Sequence, residues 1–110
     1  MPGSPNIRRS VAFEVRILPE GEDDLFGIYL YVAEHGGADR ADGYDRRIRA
    51  MCEKLADFPG RGTPRDLLER GLRSIPFERR VTIYYRVTDR TVEIVRILYR
   101  GRDAVGLFTT

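Results

Sequence analysis

Val81-Thr82-Ile83-Tyr84-Tyr85-Arg86-Val87-Thr88-Asp89-Arg90-Thr91-Val92-Glu93-Ile94-Val95-Arg96-Ile97-Leu98-Tyr99 is the stretch that decides the architecture. Val81, Ile83, Tyr85 and Val87 alternate with Thr82, Tyr84, Arg86 and Thr88, the two-residue period of a strand with one buried and one more open face. After Asp89-Arg90, the residues Val92, Ile94, Val95, Ile97 and Leu98 are apolar on both faces, which predicts a central strand. With Leu72 to Phe77 just upstream, three strands (Leu72–Phe77, Arg80–Val87, Thr91–Tyr99) follow one another across short turns and are expected to pair as an antiparallel meander.

Upstream of the meander, Pro59-Gly60-Arg61-Gly62-Thr63-Pro64 is a stiff, turn-prone connector, followed by a polar stretch to Gly71 expected to run irregularly. The segment from about Ala38 to Phe58 carries a helical stripe of Tyr44, Ile48, Met51, Cys52 and Leu55. Gly36-Gly37 separates it from an earlier helix, in which Leu25, Ile28, Tyr29 and Val32 recur at helical spacing behind the acidic start Glu20, Glu22, Asp23 and Asp24. Two helices joined by a glycine turn predict an antiparallel hairpin. Before Pro19, the residues Val11, Phe13, Val15 and Ile17 alternate as a first strand, and residues 1–10 read as a flexible tail, leaving one domain over 11–110.

The bulk composition narrows the function classes. At 110 residues there is room for one core and no separate catalytic domain. The longest apolar run, Leu25 to Ala33, is about half of a membrane span, and no leader pattern opens the chain. A single cysteine, Cys52, excludes an internal disulfide and any multi-cysteine zinc site, so the expected location is the cytoplasm. Residues 1–58 carry a net charge of −3 and residues 59–110 one of +5, and every cation of the second half is arginine. Arginine makes planar bidentate contacts with carboxylates and phosphates that lysine cannot match, so this is a recognition composition; the alternative is a solvated arginine-rich surface.

Few residues offer chemistry. The only histidine, His35, reads as a helix-end side chain near exposed carbonyls, and Cys52, on the apolar stripe, as a small core residue. With no second histidine and no Cys-x-x-Cys, metal chemistry has almost nothing to be built from, and Gly60, Gly62 and Gly101 do not form a phosphate loop. What remains is a group of cations and phenols: Arg73, Arg79, Arg80, Arg86, Arg96, Arg100 and Arg102, with Tyr84 and Tyr99. Arg96 is an isolated charge in an apolar strand. It needs a carboxylate partner, with Glu93 and Asp103 near in sequence, or an opening to a cleft.

In order and spacing, several pieces together resemble the ParE branch of the ParE/RelE superfamily of bacterial toxins from toxin–antitoxin operons. They are Asp23-Asp24-Leu25-Phe26-Gly27-Ile28-Tyr29-Leu30-Tyr31, Leu55-Ala56-Asp57-Phe58-Pro59 with Gly62 soon after, and Gly71-Leu72-Arg73. Thr82 to Val87, Val92 to Leu98, Tyr99 and Arg102-Asp103 complete the match, which spans roughly Val11 to Asp103. The resemblance implies an α+β fold of one strand, a helical hairpin and a three-stranded antiparallel meander forming a single sheet. It also implies a ParD-like antitoxin that wraps an acidic, amphipathic segment over the toxin. ParE-like toxins poison DNA gyrase without catalysis of their own, whereas RelE-like relatives cut messenger RNA on the ribosome.

The expected antitoxin- or target-binding set is Arg73, Arg79, Arg80, Arg86, Arg96, Tyr99, Arg100 and Arg102, with no cofactor, metal, membrane or small-molecule substrate. In the nuclease alternative Arg73, Arg86, Arg96 and Tyr99 would be catalytic. Tyr99 stands where many ParE-like chains have histidine, and the one lysine, Lys54, lies at the end of the hairpin, which leaves a thin acid–base inventory. A phenol with an ordinary pKa of about 10 would need neighbouring arginines to take part. A third reading is a degenerate member that only binds its antitoxin.

Overall fold

The computed structural model describes residues 13–100 and 104–108. The expected tail, Val11 and Ala12, and Arg102 and Asp103 lie outside the described residues. Chain order is β1 (Glu14–Ile17), α1 (Pro19–Gly36), α2 (Ala38–Lys54), β2 (Thr63–Pro64), β3 (Arg73–Phe77), β4 (Val81–Thr88), β5 (Thr91–Tyr99) and α3 (Ala104–Phe108).

Pro19 opens α1 at its first turn, where a missing N–H costs nothing, and Glu20 and Glu22 place negative charge at the positive end of the helix dipole. Gly21, Leu25 and Ile28 are its buried residues. A Cβ on Gly21 would stand 3.1 Å from the carbonyl oxygen of Ile94, so glycine lets the helix lie close against β5. Gly37 alone separates the helices. Its φ of 91° suits glycine, its N–H donates to Ala33 (2.9 Å), and its carbonyl accepts from Ala41 (3.1 Å). On α2 the residues Ala41, Tyr44, Ile48 and Cys52 are buried at helical spacing. The helix stops at Lys54 rather than continuing to Phe58, because Leu55, Ala56 and Asp57 each donate to the third residue back in tighter turns.

The expected three-stranded antiparallel meander is corrected to one mixed five-stranded sheet, of order β1-β5-β4-β3-β2. β3, β4 and β5 do pair as an antiparallel meander. Two additions widen it. β1 pairs parallel with β5, from Glu14↔Thr91 to Ile17↔Ile94, because the hairpin returns the chain so that the last strand comes alongside the first. The connector, expected to be stiff and turn-prone, contributes the edge strand β2, with Thr63↔Ser74 and Pro64↔Arg73. An edge position is where proline is tolerated in a sheet.

β5 is central, as its two apolar faces imply. A bulge at Val95 is left where Tyr84 pairs with Arg96 and Tyr85 with Ile94. Uninterrupted alternation would carry Arg96 in step with Val92 and Ile94 into the core; the bulge gives that place to Ile97. The main core thus joins Leu25, Ile28, Ile48, Cys52 and Leu55 to Ile83, Tyr85, Val92, Ile94 and Ile97. The other sheet face is not open as the alternation suggests. Leu72, Tyr84, Val95 and Leu98 form a second cluster there, packed by Leu68, Leu107 and Phe108, and the rings of Tyr84 and Phe108 lie 5.1 Å apart. No helix among the described residues is long and apolar enough to cross a membrane.

Candidate functional site

Three of the expected site arginines are held by the protein's own groups. Arg73 donates through Nη1 to the carbonyls of Gly60 (3.1 Å) and Gly62 (2.7 Å), fastening the connector. Arg86 lies between Glu93 (2.9 Å) and Glu69 (2.9 Å). Arg96 grips Asp24 of α1 through Nε (2.8 Å) and Nη2 (2.9 Å), and the same carboxylate accepts the backbone N–H of Ile97 (2.8 Å). Its partner is therefore Asp24 rather than Glu93, which binds Arg86; Asp103 lies outside the described residues. These side chains are spread along the sheet, and the structure does not gather Arg73, Arg86 and Arg96 around Tyr99.

Arg79, Arg80 and Arg100 form the other group, at the end of the sheet where β3 turns into β4 and β5 finishes. The backbone N–H of Arg100 donates to the carbonyl of Arg80 (2.7 Å), which fixes the two chain ends together. The turn carries Glu78 at φ 48° and Arg79 at φ 66°, two non-glycine residues in the left-handed region. The Gly37 end of the helical hairpin faces the same corner. Between them lies a concavity of about 440 Å³, lined by Val32, Arg40, Tyr44, Arg47, Glu78, Arg80 and Tyr99.

Its electrostatics are specific. Arg47 makes a two-pronged ion pair with Glu78 (Nε–Oε2 2.8 Å, Nη2–Oε1 3.0 Å), which holds the Glu78 carboxyl below its usual range. The Arg47 guanidinium also stands 5.4 Å from the centre of the Tyr44 ring. Arg80 lies against the Tyr99 hydroxyl, which raises the guanidinium's pKa, and the rings of Tyr99 and Tyr31 are 5.4 Å apart. Arg40 makes no ion pair among the described residues. The Tyr44 hydroxyl is buried and has no hydrogen-bond partner among the described residues, and burial, more than any neighbouring charge, raises its pKa.

Sequence reading places Arg80, Tyr99 and the neighbouring Arg79 and Arg100 here, but misses Tyr31, Arg40, Tyr44, Arg47 and Glu78. The signal for three of them was present: Arg40, Tyr44 and Arg47 stand at successive spacings of four and three on one helix, which share a face. His35 accepts its helix-end role, its Nδ1 lying 2.8 Å from the carbonyl oxygen of Tyr31. Cys52 is buried, and desolvation pushes its thiol up to about 12, as suits a core residue and not a nucleophile. Among the described residues no group of three His, Cys, Asp or Glu could hold a metal ion.

The chain is thus a small α+β domain, a helical hairpin over a mixed sheet with a cationic, tyrosine-lined corner, and known proteins share this architecture. A chromosomal ParDE toxin–antitoxin structure from P. aeruginosa shares the fold at a TM-score of 0.72 and 21% identity, over 81% of this chain and 97% of that one. Toxin ParE1 of Caulobacter vibrioides is 34% identical over 89 residues, 81% of this chain and 91% of that protein. The family described as the ParE toxin of the type II toxin–antitoxin system parDE matches residues 15–104. The chain belongs to the ParE toxin family.

Proposed function

We propose that this chain is the toxin of a parDE pair, that a ParD-like antitoxin neutralises it in the cytoplasm, and that its target is DNA gyrase. The observation that carries a binding role is the division of the arginines. Arg73, Arg86 and Arg96 are consumed by internal partners, while Arg40 and Arg80 line an open concavity, with Arg79 and Arg100 beside Arg80 at the same end of the sheet. General acid–base cleavage of RNA needs a base and an acid within reach of one bond. Arg80 lies against the Tyr99 hydroxyl, whereas Arg73, Arg86 and Arg96, the rest of the nuclease set, are engaged with the connector carbonyls, Glu69, Glu93 and Asp24. Acidic partner segments suit the cationic corner, because opposite charge speeds and orients association.

A supercoiling assay with purified gyrase should show inhibition or trapped cleavage complexes, and unchanged supercoiling in large toxin excess would sink the gyrase target. Mapping transcript ends after induction is the companion measurement. Codon-positioned cuts would move the assignment to a ribosome-dependent mRNA interferase. Undiminished growth on induction without antitoxin would instead mark a member that only binds. Co-expression with the adjacent reading frame should yield a stable complex that weakens as salt rises.

A further inference from the structure

The corner between the helical hairpin and the β3–β4 turn already contains a carboxylate, and it belongs to the protein itself. Glu78 reaches Arg47 from a turn whose two central residues, Glu78 and Arg79, both hold left-handed backbone without being glycine. Turns with two successive left-handed residues favour Asn-Gly, so Glu-Arg here stores strain at an exposed position. The ion pair it makes is half-exposed on both sides, 54% for Arg47 and 44% for Glu78, and exposed pairs are weak and readily exchanged. Arg40, across the concavity, has no ion-pair partner among the described residues. The Tyr44 hydroxyl, near Tyr99, Glu78, Arg80 and Arg47, is buried in the pocket wall with no hydrogen-bond partner among the described residues. Val32 and the tyrosine rings supply an apolar wall for an aliphatic stem.

We propose that this pocket receives a glutamate or aspartate side chain from an acidic partner segment, and that Glu78 is an internal carboxylate occupying one side of it until the partner arrives. An incoming carboxylate has the planar fork geometry that Arg47 already satisfies with Glu78; it gives Arg40 and Tyr44 the acceptor they lack and offers Arg80 a charged one in addition to the Tyr99 hydroxyl. Displaced Glu78 returns to water, where an exposed carboxylate is well solvated. The identity of the partner as an antitoxin rests on the functional reading above; the pocket and its internal occupant do not.

The test is fluorescence anisotropy of a labelled synthetic peptide with glutamates and leucines at helical spacing, titrated with the full chain. Circular dichroism checks that each variant is folded. Glu78→Gln should bind the peptide about three- to tenfold more tightly, because the competing charge is gone and Arg47 is released. The double variant R40Q/R80Q should bind at least about tenfold more weakly, and Tyr44→Phe several-fold more weakly. Unchanged or weaker binding by Glu78→Gln overturns the internal-occupant role. Displacement of the peptide by a single-stranded oligonucleotide at lower concentration than by unlabelled peptide, with the same dependence on Arg40 and Arg80, overturns the carboxylate assignment in favour of phosphate. If the adjacent-frame protein fails to bind while the peptide series behaves as described, the antitoxin reading falls and the pocket stands.

Discussion

Asp24 does three jobs with two oxygens: it holds both arms of Arg96 and caps the N–H of Ile97 just beyond the point where β1 stops pairing with β5. The pair is largely buried, 15% and 9% exposed, so removing one member leaves a charge with neither water nor partner. Asp24→Ala is expected to cost about 3 kcal/mol in urea unfolding, whereas D24N/R96M, which keeps an acceptor for Ile97 and removes both charges, should recover most of it. That Arg96 needed a carboxylate was legible from its apolar surroundings. Which carboxylate was not, because the partner lies 72 residues away and the bulge at Val95 decides where Arg96 goes. Cys52 gives a pH-dependent counterpart. Its thiol ionises near 9 in the unfolded chain and near 12 in the folded one, so the native state is favoured below pH 9 and loses that advantage as pH rises toward 12. Alkaline stability profiles of the wild type and Cys52→Ala should therefore diverge across that window, the wild type falling more steeply.

Elements differ in how far their own residues announce them. The hairpin was legible because Gly37, the acidic start of α1 and the Tyr44-Ile48-Cys52 stripe all agree. β2 was not, since two residues, one of them proline, carry no periodicity and exist as a strand only because β3 offers a free edge. What holds that connector is side-chain chemistry from the sheet: the Tyr85 hydroxyl accepts from the N–H of Gly62 (2.8 Å) and donates to the carbonyl of Pro59 (2.8 Å), beside Arg73. A Cβ on Gly62 would stand 2.6 Å from that hydroxyl, too close for the bond to survive. Tyr85→Phe should cost about 1–2 kcal/mol and Gly62→Ala a similar amount. A double-mutant cycle should find the pair less than additive by about 1 kcal/mol, since both remove the same latch. Strict additivity would show the two sites to be independent.

At the scale of the whole molecule, the charge asymmetry of the sequence separates into structural and exposed parts. The concentration of arginine in the meander was legible, but the sequence alone could not divide it into Arg73, Arg86 and Arg96, which tie the fold together, and the corner group around Arg80. That division depends on Asp24, Glu69, Glu93 and the connector carbonyls arriving from other elements. The same dependence makes β5 indispensable, because it pairs with both β1 and β4 and supplies Val92, Ile94 and Ile97 to the core. A chain cut after Arg90 should show no cooperative unfolding transition by circular dichroism; a sharp transition would mean that the hairpin and the remaining strands fold without it. The placement of β5 also orders events on the ribosome. β5, with Tyr99 and Arg100 at its tip, is translated after both helices and the other strands, so the corner around Arg80 is complete only once this last strand of the sheet has been made. A prematurely terminated product would lack the strand that closes the core, and protein quality control would meet an unfolded chain in place of a partial toxin.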